Sequence, residues 1–441
     1  SVYSGENSMV RSVADTYLGG LFEHLEESGV SRLPDDPTRS MPYLVIEDFG
    51  TKGLIGDPRL FFESDSESAE EERFYWFHRN NNRTQTQTKR GGSFGYGKAS
   101  FALASDINSF LTVTRGVDGS IKVFGSTIAK NHSVNGVRYQ PYGDYGFAEV
   151  EEDGDTGIVP SEDPEFFDSV IEDFGLHRGD ESGLSVIIPF PQREYSSNQI
   201  LESFIRNYFV PICQGDLVLE VSENGHSVTV SDETIRDITN RLHWSDEPPG
   251  AMTKTNRACM TGMVELAKRW ADGLEAVQLA PVGEGQPFWY PDLIPEESYN
   301  DLRSRLESGE PLELKIEVPV FEMENGRKDR YSDSSEITIL LKKDDAFGKS
   351  DAVWIRRYLS VPKADHTPKK PGYIGIVMAL EGPIEELLRN SEEVAHTEHR
   401  PRSARISGRY KYARDLIGFY RKSASHLVEY LTKPSVLLES S

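Results

Sequence analysis

The chain has 441 residues, of which 37% are hydrophobic and 10% aromatic, and it carries a formal charge of −24. That length exceeds one ordinary core and points to two or three domains, and the apolar content excludes a wholly disordered chain. The negative excess repels nucleic acid at long range and excludes a whole-surface DNA binder, while leaving room for a local basic patch.

No run of eighteen apolar residues occurs, so no membrane-spanning helix is expected. No charged segment followed by an apolar one opens the chain, so no secretory signal is expected either. Cys213 and Cys259 lie far apart in sequence, which fits a reducing cytoplasm and excludes a disulfide scaffold.

Met9, Val13, Tyr17, Leu21 and Leu25 recur at helical spacing and predict a helix over 8–27. After a proline-rich loop, Tyr43-Leu44-Val45-Ile46 reads as a short strand ending in the turn-type sequence Glu47-Asp48-Phe49-Gly50. Residues 64–72 are acidic and polar, and 79–90 are polar, basic and rich in Gln and Thr. Between them lies the aromatic run Phe74-Tyr75-Trp76-Phe77. The glycine-rich stretch Gly91-Gly92-Ser93-Phe94-Gly95-Tyr96-Gly97-Lys98 then leads into a helix beginning near Ala99. Strands follow at 110–114, 121–125 and 184–188. This order predicts an α+β sandwich rather than a doubly wound sheet. A helix over 197–209 and strands within 217–230 precede the chain-breaking Pro248-Pro249-Gly250. Beyond it the pattern predicts a helix over 257–270, strands at 312–320, 336–341, 353–359 and 373–380, a helix over 384–389, and a basic C-terminal helical segment.

Clustered glycines let backbone N–H groups approach an anion, and a helix starting just after them adds its positive end. The stretch from Gly91 to Lys98 therefore reads as a phosphate cradle. From Gly92 it nearly satisfies the P-loop spacing, but Ala99 stands where Ser or Thr should hold Mg²⁺, and Gln87-Thr88-Lys89-Arg90 is no buried strand. The dinucleotide fingerprint fails because Ser100 occupies the third glycine position.

Asp48-Phe49-Gly50-Thr51-Lys52-Gly53-Leu54 lies some forty residues upstream, at the end of an apolar strand. Paired with the downstream glycine stretch, it resembles the GHKL ATPases (gyrase, heat-shock chaperone, histidine kinase, MutL), above all MutL- or chaperone-like ATPases of bacterial defence operons. The resemblance implies a Bergerat-type ATP-binding sandwich over 1–195. In it Asp48 would accept the adenine amino proton, Gly50 and Gly53 would lie under the base, and Gly92, Ser93, Phe94, Gly95, Tyr96, Gly97 and Lys98 would hold the phosphates. It also implies a lid over 58–98, Mg²⁺ as cofactor, a homodimer or protein partner, and a role in anti-phage defence or DNA processing. Two elements depart from the pattern. Leu184 replaces the threonine of a Gly-Thr pair, so a hydroxyl contact would come from Ser185 or be lost. Asn7 matches the Mg²⁺-binding asparagine, but Tyr3 stands four residues earlier in place of the catalytic glutamate; Glu6, about 100° round a helix, is the neighbouring carboxylate. Adenine and phosphate contacts are therefore better marked than hydrolysis, and a nucleotide-gated scaffold without turnover is the alternative. The histidine-kinase branch is disfavoured, because no dimerising helix precedes the nucleotide domain.

The resemblance further implies an S5-like transducer domain, expected over 196–395, that sends a basic residue to the γ-phosphate. Lys363, Lys369 and Lys370 are candidates, with Arg356 and Arg357 behind them. Two rival sites lie in this half. Pro291-Asp292 with Glu313-Leu314-Lys315 follows the order of a PD-(D/E)-x-K nuclease, although Glu313, Lys315 and Glu317 also alternate as on any half-solvated strand. His396 and His399 beside Glu392 and Glu393 could hold a metal. Finally, the expected third segment, 396–441, includes Arg400, Arg402, Arg405, Arg409, Lys411 and Arg414 interleaved with aromatics. This reads as a solvated helix face touching the acidic remainder of the chain or, alternatively, as a DNA-phosphate contact.

Overall fold

The computed structural model describes residues 1–30, 40–61, 71–79, 97–150, 156–192, 195–245, 255–323, 329–361, 366–393, 398–403 and 405–433. The chain forms two compact units, residues 1–197 with 222–227, and residues 198–221 with 228–441. Both mix helices with largely antiparallel sheets, so the α+β class holds. Among the described residues no helix is long and apolar enough to cross a membrane.

The first unit opens with the short strand β1 (Val2–Tyr3) and the helices α1 (Arg11–Leu18) and α2 (Leu21–Glu27), which divide the expected single helix at Gly19-Gly20. The strand β2 (Tyr43–Glu47) follows, then a turn of π-helix at Tyr75–Arg79, the helix α3 (Gly97–Leu103), and the strands β3 (Ser109–Arg115) and β4 (Ile121–Ile128). Short strands come next: β5 (His132–Val134), β6 (Val137–Tyr139), β7 (Tyr142–Tyr145), β8 (Phe147–Val150) and β9 (Thr156–Val159). The unit continues with α4 (Pro164–Asp173) and β10 (Gly183–Pro189). The helix α4 was absent from the sequence expectations although its start is well marked: Asp163 caps it by accepting from the Glu165 N–H, and Pro164 sits in the first turn.

The main sheet runs β1-β2-β10-β3-β4-β7, each neighbour antiparallel. Strand alternation gives it two different faces. One carries Tyr43, Val45, Leu111, Val113, Val123 and Ile187, buried under Leu18, Leu25, Phe167 and Val170 of α1, α2 and α4 and under Phe174 just after α4. The other carries Ile46, Thr112, Thr114, Phe124, Ser126 and Leu184. Among the described residues a small apolar cluster of Leu54, Phe74 and Phe124 forms here, with Leu184 packed against it, and Phe110, Val186 and Ile188 of the same face are also buried. This face mixes buried threonines with apolar side chains, and it is the face the site occupies.

The second unit adds α5 (Ser197–Cys213), the hairpin β11 (Leu219–Glu223) and β12 (His226–Val230), α6 (Ile235–Arg241), α7 (Arg257–Ala271), β13 (Ala276–Gln278) and α8 (Glu296–Glu307). The tip of that hairpin, 222–227, clusters with the first unit, where Glu223 pairs with Val2. The long strands β14 (Leu312–Met323) and β15 (Asp329–Lys343) come next, then β16 (Asp351–Arg356), β17 (Leu359–Ser360), β18 (Tyr373–Ala379), α9 (Gly382–Ser391), β19 (Tyr410–Lys411) and α10 (Ala413–Thr432). The sheet order is β13-β14-β15-β18-β16-β17, and its faces are covered by α5 to α7 on one side and α8 to α10 on the other. The C-terminal segment, expected to stand apart, is integral to this unit. The α10 residues Leu416, Phe419, Tyr420, Leu427 and Leu431 are core, and β19 pairs with β14. An apolar stripe at helical spacing buries the helix whatever its outer charges.

Candidate functional site

Strand β2 delivers Asp48 to the edge of the half-polar face, opposite Leu184 of β10. The Asp48 N–H donates to the Leu184 carbonyl at 2.9 Å, and the Leu184 N–H donates back to Asp48 Oδ1 at 3.0 Å. Thr51 Oγ1 donates to the same Oδ1 at 2.6 Å. Among the described residues no hydrogen bond reaches Oδ2. One carboxylate oxygen is thus anchored and the other is presented, next to the 42%-exposed Ile46 and Phe49.

Two glycines make this approach possible. At Gly183 (φ +152°) an added Cβ would lie 2.1 Å from the Asp48 carbonyl oxygen and 2.9 Å from Asp48 Oδ1. At Gly53 (φ +66°) it would lie 2.4 Å from the Arg115 carbonyl. The loop between Asp48 and Leu54 is stapled to the sheet on both sides: Gly50 N–H to the Ser182 carbonyl at 2.9 Å, and Leu54 N–H to Thr114 Oγ1 at 2.9 Å.

Arg178 holds the site from behind. Only 2% exposed, it donates from Nη2 to the Asp48 carbonyl (2.6 Å), from Nη1 to the Glu181 carbonyl (3.2 Å) and from Nε to Ser185 Oγ (2.9 Å), and it stacks on Phe49 at 4.8 Å. Burial lowers its pKa from the usual guanidinium value, partly offset by Glu47 and Asp48. The Ser185 hydroxyl, fully buried, donates to Glu47 Oε1 at 2.8 Å. Ser185 therefore does not supply the expected nucleotide contact, because strand alternation turns it to the face opposite Leu184. The bond to Asp48 comes instead from the Leu184 backbone. Sequence reading missed Arg178 altogether and quoted Glu47 and Thr51 only as parts of a motif; no local pattern marks a residue that becomes a neighbour across 130 positions.

Gly92, Ser93, Phe94, Gly95 and Tyr96 lie outside the described residues. The chain is described up to Arg79 and again from Gly97, and both points sit on the half-polar face. Lys98 Nζ donates to the His78 carbonyl at 3.0 Å, which brings the two ends of the glycine segment together. His78 is buried between Thr112 Oγ1 and Ser126 Oγ, each at 3.0 Å. Because the Thr112 hydroxyl donates to the Phe124 carbonyl, it accepts from His78 Nε2–H, leaving Nδ1 to accept from Ser126. Burial, then the charges of Lys98 and Arg79, push the His78 pKa well down, so this ring is neutral. Arg79 is fixed by Asp144 at 2.7 Å and by the Ile158 carbonyl at 2.6 Å. Burial lowers the Lys98 pKa to about 8, with Asp144 opposing the shift. Thr112 and Thr114 are about 7 Å apart along one face of β3. The face thus carries both Asp48 and the anchors of the glycine segment.

Asn7 and Glu6 are not brought to it. They sit in a single 3-10 turn after β1, and Asn7 Nδ2 donates to Asn224 Oδ1 at 3.0 Å. Since Tyr3 pairs with Tyr43 in the antiparallel β1/β2 register, the chain beyond Tyr3 leaves from the end of β2 away from Asp48. Tyr43 and Asp48 are five positions apart on extended backbone, about 16 Å.

In the second unit Arg356 is buried and committed to Glu392 (2.6 Å and 3.1 Å) and Glu385 (2.9 Å). Arg357 turns the chain with φ +57°. Lys370 donates to the Thr432 carbonyl at 2.9 Å, Lys369 is exposed, and Lys363 lies outside the described residues. The nuclease trio is not assembled. Glu313 faces Trp270 Nε1 of α7 at 3.2 Å, whereas Leu293, next to Asp292, packs with Leu314 in the core on the other side of the sheet. His396 lies outside the described residues, and buried His399 contacts Ser391 Oγ at 3.0 Å. Among the described residues no group of three or more His, Cys, Asp or Glu gathers as a metal site. In the basic segment, Arg400 pairs with Glu393 and Glu398, and Arg409 with Glu322 and Glu386. Lys411 lies 5.7 Å over the Phe321 ring, Arg402 and Arg414 are exposed, and Arg405 is half-buried. Tyr410, Phe419 and Tyr420 are core residues, which removes them as base-stacking platforms. No protein-family model and no curated protein matches the chain.

Proposed function

We propose that this chain binds ATP on the half-polar face of its first unit, with Asp48 reading the adenine amino group, the base lying over Ile46 and Leu184, and the phosphates reaching the segment that ends at Lys98. The observation that carries the reading is the divided role of the Asp48 carboxylate: Oδ1 is fixed by Leu184 N–H and Thr51, and Oδ2 stays open beside exposed apolar surface. An acceptor fixed by backbone next to an apolar shelf suits a flat base with an exocyclic amine. The half-polar face would offer purine and phosphate contacts alone, so occupancy would act through a partner, either a second copy or another protein.

The Mg²⁺ set does not fit in the same way. Asn7 and Glu6 leave from the opposite end of β2, and no hydrolytic step is assigned to them. This favours nucleotide-gated binding over turnover.

Asp48→Asn tests the pocket. Leu184 N–H keeps the amide oxygen in the Oδ1 position, so the new NH₂ occupies the Oδ2 position and meets the adenine amine donor to donor. Loss of a hydrogen bond to a charged group costs about 1.5–3 kcal/mol, so ATP binding measured by calorimetry should weaken about 10–100-fold, and GTP, with an acceptor there, should gain relative to ATP. Unchanged ATP affinity in Asp48→Asn would remove the assignment.

A further inference from the structure

On the other side of the first unit two histidines meet. Helix α2 presents His24 and strand β5 presents His132, with His24 Nδ1 at 2.9 Å from His132 Nε2. Their protonation is constrained by the backbone. His132 Nδ1 lies 2.7 Å from the Lys130 carbonyl, which can only accept, so Nδ1 carries the proton and Nε2 presents a lone pair toward His24. A ring whose far nitrogen is held by a backbone carbonyl is the arrangement that orients metal-ligating histidines. Tyr139, paired with His132 across the β5/β6 hairpin, stacks on His132 at 5.4 Å and meets His24 edge-on at 4.5 Å, so the three rings form one cluster.

The surroundings favour a cation. Helix α2 carries Glu23, Glu26 and Glu27, and Glu23 reaches the same hairpin, accepting from Asn135 Nδ2 at 3.4 Å.

We propose that His24 and His132 form a two-imidazole site for a borderline divalent cation of the zinc class, with water in the remaining positions. Two nitrogens bound to one tetrahedral Zn²⁺ at about 2.0–2.1 Å stand about 3.3 Å apart, so the rings need to separate by about 0.4 Å and each to tilt by about 35° off the present nitrogen–nitrogen line. Binding shifts the His24 proton from Nδ1 to Nε2, so both lone pairs turn to the metal and no proton is released from the neutral pair. The bound ion clasps the β5/β6 hairpin to α2. Imidazole donors select Zn²⁺, Ni²⁺ or Cu²⁺ over Mg²⁺, so the site is independent of any Mg²⁺ that accompanies nucleotide.

The test is titration of the full chain, free of any polyhistidine tag, with ZnCl₂ alone by calorimetry. One saturable site is expected, at least tenfold weaker in His24→Ala and in His132→Ala, unchanged in the control His177→Ala, and absent with MgCl₂. Hydrogen exchange on the wild-type chain gives a readout that needs no variant: added zinc should slow exchange of amides in 132–139. Absence of saturable zinc binding, binding that both substitutions leave intact, or hairpin exchange unaffected by zinc would each overturn the site.

Discussion

Replacing Gly183 by alanine tests whether the β10 start positions Asp48. The new Cβ would lie 2.1 Å from the Asp48 carbonyl oxygen, whereas real Cβ contacts essentially never fall under 3.0 Å, so at least 0.9 Å of backbone movement is required. Both groups belong to backbone, so no flexible side chain can absorb it. Holding alanine at φ +152° costs about 1–3 kcal/mol, and parting β10 from β2 weakens the Leu184–Asp48 pair and the Arg178 bond to the Asp48 carbonyl. The sum is about 3 kcal/mol, which lowers the Tm of a unit this size by about 6–12 °C. ATP affinity should drop by the value of one charged hydrogen bond, about 10–100-fold. Thermal unfolding followed by calorimetry, with nucleotide titration on the same samples, measures both effects. Gly179→Ala is the control: nothing lies within 4 Å of its added Cβ, and a change within about 0.5 kcal/mol is expected. If Gly183→Ala melts with the wild type and binds ATP equally, the contact does not hold the site.

Two further outcomes follow from the electrostatics. With its pKa lowered by burial to about 8, Lys98 loses its proton just above neutrality. If it faces phosphate, ATP affinity should be level below pH 8 and decline toward tenfold per unit above it, while Lys98→Met should flatten the profile between pH 7 and 9.5; a wild-type profile level to pH 9.5 would remove Lys98 from the phosphate site. In the second unit, Arg356→Met leaves the fully buried Glu392 carboxylate without its guanidinium. Breaking a buried pair from one side costs about 3–5 kcal/mol; chemical denaturation should show that loss, and a loss under 1 kcal/mol would mean Glu392 has other support.

The sequence by itself determined the local features. Alternation and helical spacing located β2, β3, β4, β10, α7 and, in the second sheet, β14, β15, β16 and β18, because burial on one face imposes those periods; the short β13 and β19 were not expected. Glycines and an aspartate after an apolar strand marked the Asp48 loop, since few other residues tolerate that backbone. What only the tertiary structure decided depends on register and facing. Whether Ser185 or the Leu184 backbone meets Asp48 is set by strand alternation against β2. Asn7 was separated from Asp48 by the antiparallel pairing of β1, which local helical spacing cannot reveal. Arg178 reached Asp48, and His24 reached His132, through pairings across more than a hundred residues. The C-terminal segment was divided off from the second unit because its charges are conspicuous in one dimension, yet its apolar stripe fixes it in that unit's core. Local chemistry names the groups, and the packing of distant segments decides which of them share a face.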